Sequence, residues 1–598
     1  MLKYLKKYWF YALIAPLFMI GEVTMDLLQP RLMSIIVDEG VLGLSSQNTG
    51  DLGLVLSTGL QMIGLVMAGG LCGILCGVFS NLCSQNFGND LRKAVFRRIL
   101  SFSFQQTDQF STGSLITRVT NDVTQLENLV SQCIRGFVRS IMFFAGGIFF
   151  LLSLDFSFGV VAACAFPILL LCMVFFLTRV SPRFAVLQKK LDRVNSVLQE
   201  NVTGSRVVKA YVREDYEKER FGRANRELVD TQLHILFLLS HMSPVMNMVL
   251  NLSVVAVIYV GSIRVRTAGV TPGSVMAAIT YLTQILHSIM MFSMIFQTVS
   301  RGLASARRLN EILLCEPALK DGPQAAQEEC IHTQNRGRIE FRNVSFSYPG
   351  GSGEAVLRRI DLTIEPGETL ALLGATGSGK TSLVSLIPRF YDVDEGAVLV
   401  DGMDVREYRL SDLRNRIAIA LQKSELFGTS IRENISWGRP DASFDEIRQA
   451  AEAAQAAEFI ENRPEGYDTK VAEKGMSLSG GQKQRLSISR ALLKQAEILI
   501  FDDSTSALDL KTEARLYEVL RSRYAHMTKI IIAQRIASVR GADRIAVIDN
   551  GSIAACGSHE ELMAGSEIYR DIYRSQLESE TETVRQDIRE SNDRRDTL

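Results

Sequence analysis

Two short segments carry residue types that can do chemistry on a phosphate. The first is Gly374, Ala375, Thr376, Gly377, Ser378, Gly379, Lys380 and Thr381, followed by Ser382. It comes directly after the apolar run TLALL and before a helical pattern. Glycines let successive backbone N–H groups curl around phosphate oxygens. Lys380 is long enough to reach the β- and γ-phosphates, and the Thr381 hydroxyl can ligate Mg²⁺. The second segment is ILIFDD at 498–503, a buried-strand pattern ending in Asp502 and Asp503. A carboxylate at such a strand end supports a phosphate-bound Mg²⁺, the role expected of Asp502. Alone these segments imply a nucleoside triphosphate with Mg²⁺ and no more.

The elements that must position these groups differ sharply between the two halves of the chain. The sequence has 598 residues, 47% hydrophobic and 22% charged, with zero formal net charge. That mixture fits a membrane part joined to a soluble part, and the charge balance gives no reason to expect a nucleic-acid partner. Long apolar stretches place membrane spans near 8–37, 54–100, 121–153, 157–209, 216–262 and 272–313. Each exceeds the roughly 20 residues a bilayer needs, so the surplus is expected to extend into the cytosol as helix. Lys3, Lys6 and Lys7 precede the first run with no cleavage pattern after it, which reads as a retained first span in contact with membrane lipids.

Loop charges give the orientation. Arg92, Lys93, Arg97 and Arg98, then Arg183, Lys189, Lys190 and Arg193, then Arg301, Arg307 and Arg308 belong inside. The segment 40–53 has no Lys or Arg and belongs outside, as does the turn at Asp155. Arg264 and Arg266 are exceptions on the outer side. The nine cysteines include no CxxC pair and read as small buried hydrophobes.

Residues 1–315 thus form an α-helical transmembrane domain of six spans. A polar linker with Pro317, Gly322 and Pro323 covers 316–337. Residues 338–577 read as a soluble α/β domain. Ile339 to Phe346 alternates like a strand, the runs at 369–373, 498–501 and 530–533 read as buried parallel strands, and Asn550-Gly551 signals a hairpin turn. The charged tail 578–598 is too poor in apolar groups to pack.

LSGGQKQR at 478–485, lying between the two phosphate segments, resembles the signature motif of the ABC ATPases. Further elements of that family follow in order. Tyr348 stands where an aromatic side chain stacks on adenine. Gln422 matches the glutamine that contacts Mg²⁺ and the transmembrane domain, and SALD at 506–509 matches the D-loop. Six spans fused ahead of such a domain resemble half of an exporter. Residues 100–123 and 201–221 resemble its two intracellular coupling regions. The resemblance implies a P-loop ATPase that takes ATP with Mg²⁺, each ATP lying between one P-loop and the opposing Ser479, Gly480, Gly481 and Gln482 of a second half-transporter, and it implies the plasma membrane, with a bacterial source.

Two positions depart from the family pattern. Asp503 stands where a glutamate normally polarises the attacking water, and its carboxylate sits roughly 1.5 Å short; misplacement by about 1 Å can cost about 100-fold in rate. Gln534 stands at the switch-histidine position and cannot carry the imidazole's charge. Together they imply a heterodimer in which this chain's own site is degenerate and its intact signature serves the partner's site. Alternatives are a slow homodimeric exporter and an ATP-gated channel or regulator. An importer subunit is disfavoured by the fusion of spans and ATPase, and a peptide-processing exporter by the lack of a peptidase domain ahead of the first span.

Cargo is drug-like, lipid or peptide. Glu22 and Asp26, one turn apart in the first span, are candidate contacts for a cationic cargo, against a simpler pairing with a base such as Arg31. Asn247, Asn251 and His287 are expected in polar contacts between helices.

Overall fold

The computed structural model describes residues 1–44, 50–267, 269–322, 336–349, 353–533 and 535–576. Most of the expected linker, the tail 578–598, Cys330 and Gln534 lie outside the described residues. The chain divides into two compact units. One comprises Met1–Leu100 and Thr112–Cys315; the other comprises Ser101–Ser111 and the chain from Glu316 onward.

The first unit holds six helices long and apolar enough to cross a membrane: Trp9–Val41, Leu52–Leu100, Thr112–Leu154, Phe156–Thr203, Glu214–Arg266 and Pro272–Leu314. A 53-residue helix such as the fifth is about 80 Å long, against about 30 Å of hydrocarbon. The third span starts at Thr112, earlier than hydropathy suggests, and the fourth ends sooner, at the Gly204 cap.

Local chemistry explains the ends. The Asp155 side chain accepts from Ser157 N–H at 2.7 Å to cap the fourth span, and Pro272 opens the sixth behind the Thr271 cap. The core is apolar: Met19, Val23 and Leu27 of the first span and Cys76 of the second pack against Tyr281, Leu282 and Ile285 of the sixth. The Tyr281 hydroxyl donates to the Leu27 carbonyl at 2.7 Å.

Several charges in this unit are paired, as an apolar medium favours, while the buried Asp38 accepts from the Thr271 hydroxyl and Gly273 N–H instead. Glu22 pairs with Arg139 of the third span at 3.3 Å, rather than with Arg31. Asp122 receives Ser305 at 2.9 Å and the Arg308 guanidinium. Arg264, an outward-side exception to the charge rule, pairs with Asp155 at 2.6 Å across the outer turns. His287 and Asn247 bond back within their own helices, to Thr283 O and Ser243 Oγ, instead of bridging between helices. Cys76 and Cys83 are buried, but Cys133, Cys164 and Cys556 are exposed, so the reading of buried cysteines holds only in part.

The second unit is built on two sheets. In the first, strands β1 (Ile339–Phe346), β2 (Leu357–Ile364), β4 (Glu395–Val400) and β5 (Met403–Asp404) pair antiparallel in the order β2-β1-β4-β5. The alternation of β1 breaks at a bulge between Phe341 and Val344, where Asn343 takes a positive φ.

The second sheet runs β10-β9-β3-β8-β7-β6. Its strands are β3 (Thr369–Leu373), β6 (Ile417–Ala420), β7 (Ile498–Asp502), β8 (Thr528–Ile532), β9 (Arg544–Asp549) and β10 (Ser552–Gly557). All pair parallel except the β9–β10 hairpin, which turns at Asn550 and Gly551 with both φ positive. Every residue of β3, β7 and β8 is buried, including Thr528 and Lys529 at the start of β8 and Asp502 at the end of β7, around the apolar runs.

Helices of this unit include α1 (Phe104–Gln109), α3 (Lys380–Leu386), α4 (Ile431–Ser436), α5 (Phe444–Ala453), α6 (Gly480–Leu493) and α7 (Leu510–Ser522). In the membrane unit, α2 (Ser205–Ala210) lies in the second coupling region and buries no side chain.

Candidate functional site

In an open parallel sheet, ligands bind beyond the carboxyl ends of the strands. Here β3 runs into the glycine loop, β6 leads to Gln422 and β7 ends at Asp502, so three separate segments of chain deliver polar groups to one edge. They surround a cavity of 390 Å³ lined by Tyr348, Thr376, Gly377, Gly379, Lys380, Thr381, Ser382, Gln422 and Asp503, with Val356 and Ile532. That size is within the ligand-pocket range of about 300–1,000 Å³.

The glycines are required where they stand. Gly374, Gly377 and Gly379 have φ of 154°, 86° and 103°, and a Cβ on Gly379 would come within 2.8 Å of Leu357 Cδ2. The loop curls around the Lys380 ammonium, which donates to Gly374 O at 2.8 Å, Ala375 O at 2.7 Å and Ser378 Oγ at 3.3 Å. Burial pulls Lys380 below its ordinary pKa, opposed by Asp503 and Asp502. A phosphate beside it would favour the charged form.

The Thr381 hydroxyl donates to Asp502 Oδ1 at 2.8 Å, so the two expected metal ligands already converge. Burial raises the Asp502 pKa, and the neighbouring Asp503 adds to the shift. The cradle, the single lysine and the Thr381–Asp502 pair fit a Mg²⁺–nucleoside triphosphate.

Asp503 is 7% exposed and takes φ +48°, a conformation aspartate tolerates better than most residues. Its Oδ2 accepts from Gln422 Nε2 at 3.2 Å. The Tyr348 hydroxyl and Ser382 Oγ lie 2.9 Å apart, tying the aromatic ring to the start of α3.

Ser479, Gly480, Gly481 and Gln482 line no part of this cavity. They form the amino end of α6, where Ser479 Oγ accepts from Gln482 N–H at 3.3 Å and Gln482 Oε1 accepts from Ser479 N–H at 3.1 Å. A helix start of this kind presents free N–H groups to an anion. Sequence reasoning missed Gln484, whose Oε1 accepts from Ala507 N–H at 2.9 Å and fixes the signature helix to SALD. A glutamine on the buried face of a helix was the available signal. It also missed Tyr391 and Asp108, whose hydrogen bond across distant segments leaves no pattern in sequence.

Comparison with known proteins decides the family. Residues 12–289 match the ABC transporter transmembrane region and residues 357–506 match the ABC transporter domain. The chain belongs to the ABC transporters. It is 39% identical to the ABC transporter ATP-binding protein YfiB of Bacillus subtilis (strain 168), over 96% of this chain and 98% of that one. It is 34% identical to an ATP-dependent lipid A-core flippase of Syntrophus aciditrophicus (strain SB), over 87% and 86%. A solved bacterial Atm1-family ABC exporter with ATP bound superposes with a TM-score of 0.76 at 26% identity, covering 96% and 98% of the two chains.

This ABC transporter is of the exporter type, a multi-pass plasma-membrane protein with its ATPase domain in the cytoplasm. Such a domain couples ATP hydrolysis to transport.

Proposed function

We propose that this chain is the degenerate-site half of a heterodimeric ABC exporter. It holds ATP in its own P-loop and lends its signature motif to the partner's working site. The observation that carries this reading is Asp503 at the position for the water-polarising acid. Its short carboxylate is engaged by Gln422 at 3.2 Å on a left-handed backbone that suits aspartate. Gln534 in the sequence adds to it.

The residues divide the work. Loop N–H groups and Lys380 hold the phosphates, Tyr348 stacks on the base, and Thr381 with Asp502 and Gln422 holds Mg²⁺. A Mg²⁺ held there would supply neutralisation of the phosphate charge. Ser479 to Gln482 point their N–H groups toward the partner's nucleotide. The cargo is drug-like, lipid or peptide, and the flippase among the relatives favours a lipid.

The test is assembly. Purified alone, this chain is expected to release little phosphate; co-expressed with the second half it is expected to release it readily. That half is expected to carry glutamate after its Walker B aspartate, a switch histidine and an altered LSGGQ. Robust turnover by the chain alone, or a partner with the same two substitutions, contradicts the proposal.

A further inference from the structure

The adenine side of the site is joined to the first coupling region by a short aromatic path. Tyr391 lies five residues beyond the end of α3, and its ring meets the Tyr348 ring edge-on, with centroids 5.3 Å apart and an interplanar angle of 87°. Phe346 packs against both, at 5.0 Å from Tyr348 and 5.6 Å from Tyr391. The three rings form one cluster, so a displacement of Tyr348 is felt at Tyr391.

The hydroxyl of Tyr391 leaves this cluster and donates to Asp108 Oδ2 at 2.7 Å. Asp108 belongs to α1, and Phe104 of α1 stacks on Phe390 with centroids 4.2 Å apart. The buried Gln106 fixes the same helix by donating to Glu316 O at 2.5 Å. Burial and the Asp108 carboxylate push the Tyr391 phenol well above its ordinary pKa, so it remains a donor at any physiological pH. By chain continuity α1 runs back into the second span, which ends at Leu100, and forward into the third, which begins at Thr112.

We infer that Tyr391 is a positioning residue that passes occupancy of the base subsite to α1, through Tyr348 on one side and Asp108 on the other. This rests on the reading of Tyr348 as the ring that stacks on adenine. It adds a base-dependent path to the phosphate-dependent one expected through Gln422. A triphosphate with no base would fill the P-loop and engage Gln422 while leaving Tyr348, and hence α1, as they were.

Hydrogen exchange of the 104–109 amides in the full-length transporter tests this, with MgATP compared against Mg-tripolyphosphate. In the native sequence, ATP is expected to slow exchange by about 10-fold more than tripolyphosphate, the worth of one hydrogen bond to a charged acceptor. Tyr391→Phe keeps the ring and removes the donor. It is expected to abolish that difference while shifting ATP affinity by less than about threefold, since the ring contact with Tyr348 remains. Asp108→Ala is expected to do the same from the other side, and Asp108→Asn, which still accepts, to restore the difference.

Persistence of the ATP-specific protection in both Tyr391→Phe and Asp108→Ala overturns the inference. So does equal protection by ATP and tripolyphosphate in the native sequence. Tyr348→Ala separates the two layers: unaltered ATP affinity in that variant removes the base-stacking reading itself. Weakened affinity with α1 still responding through Tyr391→Phe removes only the relay.

Discussion

At the scale of single residues, the site is governed by carboxylates whose reach and protonation are set locally. Asp502 is buried beside Asp503, and its pKa is raised. A proton and Mg²⁺ compete for that carboxylate. As pH falls, the raised folded-state pKa means Asp502 takes its proton above the usual carboxylate range of about 3.9, and metal affinity is lost earlier than for an exposed aspartate. Mg²⁺-dependent retention of ATP, measured by equilibrium dialysis, is therefore expected to weaken on acidification before the usual aspartate range of about 3.9 is reached. Retention that stays flat down to that range would contradict the assignment. Asp503 offers the complementary test. Asp503→Glu lengthens the side chain toward the missing position and should raise the slow turnover of this chain's own site by about 10-fold, part of the roughly 100-fold that a misplacement of about 1 Å can cost. Glutamate is less at ease at φ +48°, and Gln534 remains, so full recovery is not expected. Phosphate release from the chain purified alone reads the change.

At the scale of elements, the motifs that sit at strand ends were legible because each is contiguous. The glycine loop, the run ILIFDD and LSGGQ each carry their geometry within a few residues, and the parallel sheet simply aligns them. What sequence did not reveal are pairings between distant segments. Glu22 invited a partner nearby on its own helix, yet its base, Arg139, comes from the third span, because helix packing and not sequence distance sets which side chains meet. Residues 100–123 resemble a coupling region in sequence, but nothing in their pattern names the residues they meet: Phe104 stacks on Phe390, and Asp108 accepts from Tyr391, within the same compact unit. Asp122 is another such case. It is 2% exposed and held by Ser305 and Arg308 from the sixth span. Arg308→Met would leave its charge buried with one hydroxyl partner, a loss of about 1–3 kcal/mol. The melting temperature in detergent is expected to fall, and adding Asp122→Asn should recover part of the loss by removing the stranded charge. A variant as stable as the native chain would show that the pair contributes nothing.

At the scale of the whole molecule, the division between cavity and signature governs the account. The P-loop, Tyr348, Gln422 and Asp503 surround one cavity, while Ser479 to Gln482 stand apart at the start of α6. Within one chain the signature residues line no part of that cavity. In a two-chain assembly, this chain's signature would face the partner's ATP, and its own Asp503 would face an ATP hydrolysed slowly. The most direct measurement compares two variants in the assembled transporter by phosphate release. Ser479→Arg places a bulky cation where the signature's N–H groups would meet the partner-bound γ-phosphate, and contacts to transition-state charge are worth about 100- to 1000-fold each, so turnover should collapse. Asp503→Asn alters only this chain's own site and should leave most activity in place. The opposite pattern, with Asp503→Asn inactive and Ser479→Arg active, would contradict the account and place the working site in this chain.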